Sequence, residues 1–178
     1  MYHSSERPGR MLSWPPMALN PYAPQLGGRD ALAVMGATPG RLRQLVDAIG
    51  EGGLTTPRAA GKWSPRDILC HLADCEVVFS FRLRQALAED NPVVLAFNQE
   101  DWAAPYSNQD AAAALAAFSA MRAWNLSLVN AVPQAARERR LTHPERGEMT
   151  FQTVLETMGG HDLNHLAQLE EVASRRQG

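Results

Sequence analysis

The sequence has few of the features that mark several large classes of protein. Only two of its 178 residues are cysteines. Cys70 and Cys75 lie five positions apart, which fits neither a disulfide within one helix nor a zinc or redox pair. Free thiols of this kind are typical of a reducing compartment. The formal net charge of −2 also lacks the basic excess that nucleic-acid-binding domains usually show.

Long uninterrupted hydrophobic runs are also missing. A transmembrane helix needs about 20 consecutive apolar residues, and we find no such run in this sequence. The N-terminus lacks the continuous apolar segment of a secretory signal. We therefore expect a cytoplasmic protein with no membrane and no nucleic-acid partner. Its length and its 45% of hydrophobic residues suit one domain with a sizeable core.

Two histidines near the C-terminus occupy positions where a buried helix face ordinarily carries leucine or isoleucine. His161 and His165 are four residues apart, so they lie on the same face of a helix. A buried imidazole needs a partner for its nitrogens, and two imidazoles one turn apart can share a metal ion. The hydrophobic positions that continue this face are Phe151, Val154, Leu155, Met158, Leu169 and Val172.

A third ligand is expected on another helix, and His71 is the leading candidate because it borders that helix's hydrophobic face. Asp74 follows three residues later, where it would either orient His71 or remain a solvated helix charge. The alternative for all three histidines is a hydrogen-bonded core without metal. Asp162 stands where an H-E-x-x-H metalloprotease has its glutamate, which argues against that class.

Capping residues and hydrophobic spacing predict four long helices. No strand-like alternation of any length is found, so we predict an all-α fold, a four-helix bundle with short extra helices. Short helical segments are expected at 30–35 and from Pro133 to about Arg140. The four long helices are predicted to run from Thr38 to Gly50, from Ser64 to about Ala88, from Asp110 to about Asn130, and from Thr150 to about Ser174.

Residues 1–29 are predicted to form a Pro-rich extended N-terminal arm, followed by the bundle at 30–178. The later part of the arm is expected to pack on the body or on a second subunit. Its prolines and hydrophobic residues are Pro8, Pro15, Pro16, Pro21, Pro24, Trp14, Met17, Leu19 and Tyr22.

Three further segments have alternative interpretations. Residues 93–106 are predicted as a loop with a short helical turn, in which Trp102 either plugs the core or forms a pocket wall. Arg82 and Arg84 follow His71 on the second long helix, and they face either the cavity or solvent. His143 precedes a proline in a polar turn region, which indicates a loop residue, with a place at the pocket mouth as the alternative.

Two motifs resemble a known family. The first motif consists of Lys62-Trp63-Ser64-Pro65 and, further along the helix that begins there, His71-Leu72-Ala73-Asp74. The second motif, on the last helix, is Gly160-His161-Asp162-Leu163-Asn164-His165-Leu166. From about residue 20 to Val172 the chain resembles the DinB/YfiT-like superfamily. The resemblance implies a four-helix bundle that binds one zinc or nickel ion through histidines matching His71, His161 and His165, commonly as a homodimer.

The resemblance implies several reactions. Some relatives are thiol-dependent transferases or isomerases that use bacillithiol, mycothiol or glutathione, and others are presumed hydrolases or damage-inducible proteins. Three neutral histidines leave a coordination position for a water, which gives hydrolysis, or for a thiol. Since the sequence shows no general base tied to the histidines, we favour thiol-dependent S-transfer or isomerisation of a small molecule, with a low-molecular-weight thiol as cofactor.

Two alternatives to that prediction stay open. One is a metal-dependent hydrolase. The other is a non-enzymatic, metal-stabilised stress or binding protein, in which a fourth protein ligand from Glu76, Asp74 or Asp162 closes the coordination sphere.

Overall fold

The computed structural model describes residues 18–176. The prolines and hydrophobic residues predicted for the arm before position 18 lie outside the described residues. Within 18–176, the helices are α1 (Ala23–Leu26), α2 (Ala31–Ile49), α3 (Pro65–Ala88), α4 (Gln99–Ala103), α5 (Ala111–Ala131) and α6 (Phe151–Arg176), and the strands are β1 (Arg140–His143) and β2 (Gly147–Thr150). Short 3-10 segments occupy Glu51–Gly53, Tyr106–Asn108 and Gln134–Glu138.

The four long helices form a bundle, as predicted. Helix α2 packs mainly on α6, and α3 packs mainly on α5. Two groups of buried side chains fill the interior. One includes Met35, Phe79 and Leu83, and the other includes Leu42 and Phe118. Burial of these apolar faces is the main driving force for association of the helices.

Side-chain caps fix where three of the long helices begin. Ser64 and Asp67 form a complete capping box at the start of α3. Asp110 accepts a hydrogen bond from the backbone nitrogen of Ala113 at 2.6 Å. Thr150 Oγ1 accepts one from the nitrogen of Thr153 at 3.1 Å. These bonds satisfy amide groups that the first helical turn leaves without partners, and they confirm the predicted starts.

The prediction that Thr38 begins a helix was wrong. Helix α2 starts after Asp30 and runs through Pro39 without a break. Because proline has no amide hydrogen, the carbonyl of Met35 loses its usual helical donor. The Arg122 guanidinium of α5 supplies a replacement, since Nη1 donates to Met35 O at 3.1 Å. Thr38 instead bonds back to the carbonyl of Val34.

Within residues 18–176 the predicted helical fold also carries one small two-stranded sheet. Strands β1 and β2 form an antiparallel hairpin in which Leu141 lies opposite Met149. Each strand has four residues, which is too short for a clear alternating pattern. The backbone of Thr142 also forms hydrogen bonds with the backbone of Pro92 and of Val94. These bonds hold the hairpin over one end of α3 and place His143 on a strand rather than in a loop.

Part of the predicted extended arm is helical. Residues 23–26 form the single turn α1, which packs on α6. Gly160 permits this approach, because a Cβ atom there would lie 3.0 Å from the carbonyl carbon of Tyr22. Gly159 does the same for the start of α2, because a Cβ atom there would lie 3.2 Å from Ala31 Cα. The glycines that precede His161 therefore let the arm and the start of α2 lie directly against the histidine-bearing helix.

Helix α5 is the one described helix that is long and apolar enough to cross a membrane by length and composition, with a mean hydropathy of 1.2 over its best window. No such span is predicted from the search for uninterrupted hydrophobic runs. In this fold α5 packs on α2 and α3 and carries the buried polar side chains Arg122 and Asn125. In this fold, 22% of that window is buried.

Candidate metal centre

Helices α3 and α6 bring the three predicted histidines together inside the bundle. His71, His161 and His165 retain only 1%, 3% and 5% of their exposure. The Nε2 atoms of His71 and His161 are 3.0 Å apart. One nitrogen from each of the three rings lies within 4.8 Å of the others. Two of the rings come from consecutive turns of α6, and the third comes from the helix packed against it.

The ionisation state of these imidazoles suits metal binding. Burial lowers the pKa of His71 to about 3, helped by the neighbouring His165. Burial also lowers the pKa of His165 to about 4 and that of His161 well below its ordinary value. All three rings are therefore neutral near pH 7, and neutral imidazole is the form that donates a lone pair to a metal.

Hydrogen bonding selects the ligand atom of His165. Its Nδ1 lies 3.2 Å from Oε1 of Gln168, so Nδ1 carries the proton and Nε2 keeps its lone pair. The ring of Trp63 stacks on His165 at a centroid separation of 6.5 Å and packs on His71 at 4.7 Å. Tyr22 packs edge-on against His161 at 5.1 Å. The three rings are thus held in place from outside the cluster.

The donor set fits a divalent transition metal. Three neutral imidazoles within coordination reach of one another match the ligands of many zinc sites, and they also accept nickel, copper or iron. Apart from the hydrogen bond of His165 to Gln168, the strongest polar contacts of these rings are with one another and with a weakly polar thiol. A metal ion would satisfy their buried lone pairs.

Cys75 lies at the edge of the histidine cluster, which the sequence analysis did not predict. Its Sγ atom is 3.5 Å from His71 Nε2 and 3.9 Å from His161 Nε2. Burial strongly raises the pKa of this thiol, so it stays protonated in the metal-free protein. The sequence does indicate this contact, because Cys75 lies one turn after His71 on the same helix face. Cys70 lies elsewhere, in a pocket beside Asp74.

A second buried polar cluster adjoins the histidines and was also missed. Arg122 of α5 bonds to Glu76 of α3, with Nη2 to Oε1 at 2.6 Å. Its guanidinium also forms a two-pronged pair with Asp162 of α6. Asn125 donates to the second oxygen of Glu76 at 2.8 Å. Glu76 follows Cys75, and Asp162 follows His161. The guanidinium therefore clamps together the two helices that carry the histidines.

The remaining predicted site residues occupy other positions. Asp162 pairs with Arg122. Asp74 accepts a hydrogen bond from the Tyr106 hydroxyl at 2.6 Å, and no bond joins it to His71 within residues 18–176. Trp102 is 40% exposed and packs on Phe97, so it does not plug the core. Together with Asp74 it lines a separate pocket beside α5.

A small cavity opens beside the histidine cluster. Its volume is about 100 Å³, and His161 and Cys75 form part of its wall. Arg82, His143 and Arg146 line it from α3 and the hairpin. His143 is buried on β1 and faces this cavity, which the sequence analysis had weighed as the alternative to a loop position. Arg84 bonds instead to the Oδ1 atom of Asn125.

A helical bundle with three converging, neutral and buried imidazoles defines a candidate metalloprotein. Comparison with protein families agrees with this class, because a sequence model described as the DinB superfamily matches residues 35–169. The chain therefore belongs to the DinB superfamily, as the two histidine motifs had indicated.

Individual relatives share this class. A protein of Oceanobacillus iheyensis named "Putative metal-dependent hydrolase OB0782" is 27% identical over 139 residues, which cover 78% of this chain and 81% of that protein. "Putative metal-dependent hydrolase YfiT" of Bacillus subtilis is 25% identical over 150 residues, covering 83% and 84%.

A solved structure confirms the fold. It is described as "YfiT from Bacillus subtilis is a probable metal-dependent hydrolase with an unusual four-helix bundle topology". It matches with a TM-score of 0.77 and 23% identity, and the match covers 83% of this chain and 86% of that one.

Proposed function

We propose that this protein is a metal-dependent hydrolase in which His71, His161 and His165 hold one divalent ion. The observation that supports this most strongly is the convergence of three neutral, buried imidazoles, with the Nε2 atoms of His71 and His161 only 3.0 Å apart. Hydrogen-bonded core histidines would be expected to have carbonyl or carboxylate partners. In this cluster only His165 has such a partner, the side-chain carbonyl of Gln168.

The protein's own residues have distinct tasks in this proposal. The three histidines bind the ion, and Gln168 keeps the proton of His165 on Nδ1. The Arg122 clamp fixes the spacing of α3 and α6. When bound, a divalent ion polarises a carbonyl or phosphoryl oxygen and lowers the pKa of water toward neutrality. The adjoining cavity gives a small substrate access to His161.

The lack of a general base in the sequence favours thiol-dependent S-transfer, but the comparisons support the hydrolase alternative better. Both relatives described above are named as hydrolases. The non-enzymatic alternative required a fourth ligand from Glu76, Asp74 or Asp162. Arg122 engages both Glu76 and Asp162, and Tyr106 engages Asp74. The three carboxylates already have partners, which argues against any of them as the fourth ligand that the non-enzymatic alternative requires.

Elemental analysis of the purified protein without a histidine tag tests the metal centre. We expect about one equivalent of zinc, nickel or a similar ion per chain, and loss of that ion in His161→Ala. The matched control is His143→Gln, which removes a buried imidazole outside the cluster and should retain the ion. No metal in the wild type after reconstitution with zinc and with nickel would overturn the proposal.

The reaction class requires a second experiment on the metal-loaded protein. Turnover is measured on a panel of nitrophenyl esters, amides and phosphate esters, and separately on an electrophile with glutathione, bacillithiol or mycothiol. We expect hydrolysis that His161→Ala abolishes and that added thiol does not accelerate. Formation of a thioether product, detected by mass spectrometry, without hydrolysis would instead establish thiol transfer.

A further inference from the structure

The cavity beside the histidine cluster has an unusual surplus of hydrogen-bond donors. Arg82 and Arg146 both line it, and the Nε atom of each is buried without a hydrogen-bond partner. A buried donor without a partner is destabilising, and native structures keep few of them. Two such donors on the wall of one cavity indicate a place where an acceptor binds.

The other contacts of the two arginines do not neutralise them. Arg82 donates through Nη2 to the carbonyl oxygen of Leu95 at 2.7 Å. Neither Arg82 nor Arg146 forms an ion pair with a carboxylate among residues 18–176, where ion pairs of other arginines are found. Glu145 also lines the cavity and its charge acts on Arg82, but it forms no ion pair with either guanidinium group within the described residues. Two positive charges therefore face one small space.

His143 supplies a third donor. Its Nδ1 accepts a hydrogen bond from the backbone nitrogen of Glu145 at 3.3 Å. Burial, together with the charge of Arg82 and of Arg146, lowers the pKa of His143, so the ring is neutral and its single proton lies on Nε2. That nitrogen is 3.5 Å from Nη2 of Arg82. With the proton on Nε2 both groups are donors, and an acceptor about 3 Å from each nitrogen would bond to both.

We propose that this cavity binds the oxyanion group of the substrate, a carboxylate or a phosphate, through Arg82, Arg146 and His143. The proposal rests on the hydrolase function proposed above and names its substrate class. Guanidinium groups match the geometry of carboxylate and phosphate oxygens. A volume of about 100 Å³ equals roughly three waters of liquid, which suits one such group. With the anion held there, the bond to be cleaved would lie toward His161.

Calorimetric titration of the metal-loaded protein with inorganic phosphate and with succinate tests the proposal. The variant is Arg146→Gln, and the matched control is Arg140→Gln on the same hairpin, whose side chain is exposed and pairs with Glu148. We expect Arg146→Gln to weaken binding about tenfold or more, as for loss of a charge-assisted hydrogen bond, and Arg140→Gln to leave it unchanged. Arg82→Gln is the second variant and should act in the same direction.

A further titration separates this proposal from the metal centre, because phosphate and succinate can also bind metal ions. Wild-type protein stripped of metal with EDTA should still bind the anion, and Arg146→Gln stripped in the same way should bind it more weakly. Binding of phosphate alone or of succinate alone identifies the preferred oxyanion and supports the proposal. No measurable binding by the wild type, or equal losses in Arg146→Gln and Arg140→Gln, would overturn it without affecting the elemental analysis.

Discussion

Two buried polar clusters lie side by side in this bundle, and their bonding differs. In the Arg122 cluster every guanidinium hydrogen has an acceptor, supplied by Glu76, Asp162 and the carbonyl of Met35. In the histidine cluster the imidazole nitrogens mainly face one another. A polar cluster whose hydrogen-bonding groups are all paired within the chain needs no ligand. A cluster whose groups lack such partners is arranged to bind one. The first is a structural clamp, and the second is the candidate active centre.

The largest expected effect on stability comes from disrupting the Arg122 cluster. Arg122→Met leaves Glu76 and Asp162 buried without their cation, which should cost about 3–5 kcal/mol in the free energy of unfolding. Urea denaturation measures it. The control is Arg41→Met, which removes an exposed ion pair with Glu170 and should cost less than about 1 kcal/mol. Adding Glu76→Gln and Asp162→Asn to Arg122→Met should restore part of the loss. A cost no larger than that of Arg41→Met would contradict the clamp.

The second largest expected effect on stability comes from zinc binding to the histidine cluster. Zinc at 1,000 times its dissociation constant should raise the free energy of unfolding by about 4 kcal/mol. His161→Leu should abolish that gain while changing the metal-free stability little, since it replaces an unsatisfied group with an apolar one. Thermal unfolding with zinc and with EDTA measures both quantities. An equal zinc effect in the variant would show that the ion binds elsewhere.

Acid should weaken the metal-free protein through the same histidines. The folded pKa of His165 is about 4, below its unfolded value of about 6.5. As the pH falls from about 6.5 to 4, the unfolded chain therefore takes up a proton that the folded chain does not. Each such histidine should lower stability by about 1.4 kcal/mol per pH unit in this window. His165→Gln should show a shallower slope than the wild type, and identical slopes would count against burial of a neutral ring.

The smallest effect concerns the orientation of one ligand. Gln168→Ala removes the acceptor of the His165 Nδ1 proton and should weaken zinc binding about tenfold with little change in fold. Competition with a chromogenic chelator measures the affinity. Gln152→Ala, at the start of the same helix, is the control and should bind zinc as the wild type does. Equal affinities in both variants would show that Gln168 does not select the tautomer.

The sequence predicted the features that depend on local spacing. Ser64, Asp110 and Thr150 mark helix starts because their side chains bond three residues away. The bundle follows from the four helices. The pair His161 and His165 stood out because polar residues occupied an apolar face.

Features that depend on distant residues were not predicted. Pro39 breaks an isolated helix, and it is tolerated here because Arg122 reaches Met35 from 87 residues away. Arg122 and Asn125 carry the same signal as the histidines, since they continue a buried face with Phe118 and Val129. The carboxylate partners of Arg122 lie on other helices, which helical spacing cannot reveal.

Zinc X-ray absorption spectroscopy on the reconstituted protein tests the central claim most directly, because it reports the atoms around the ion. The account predicts about three imidazole nitrogens at about 2.0 Å from zinc, with the imidazole signal reduced in His161→Ala. A coordination shell made only of oxygen atoms, or one identical in wild type and His161→Ala, would show that the converging histidines do not hold the metal.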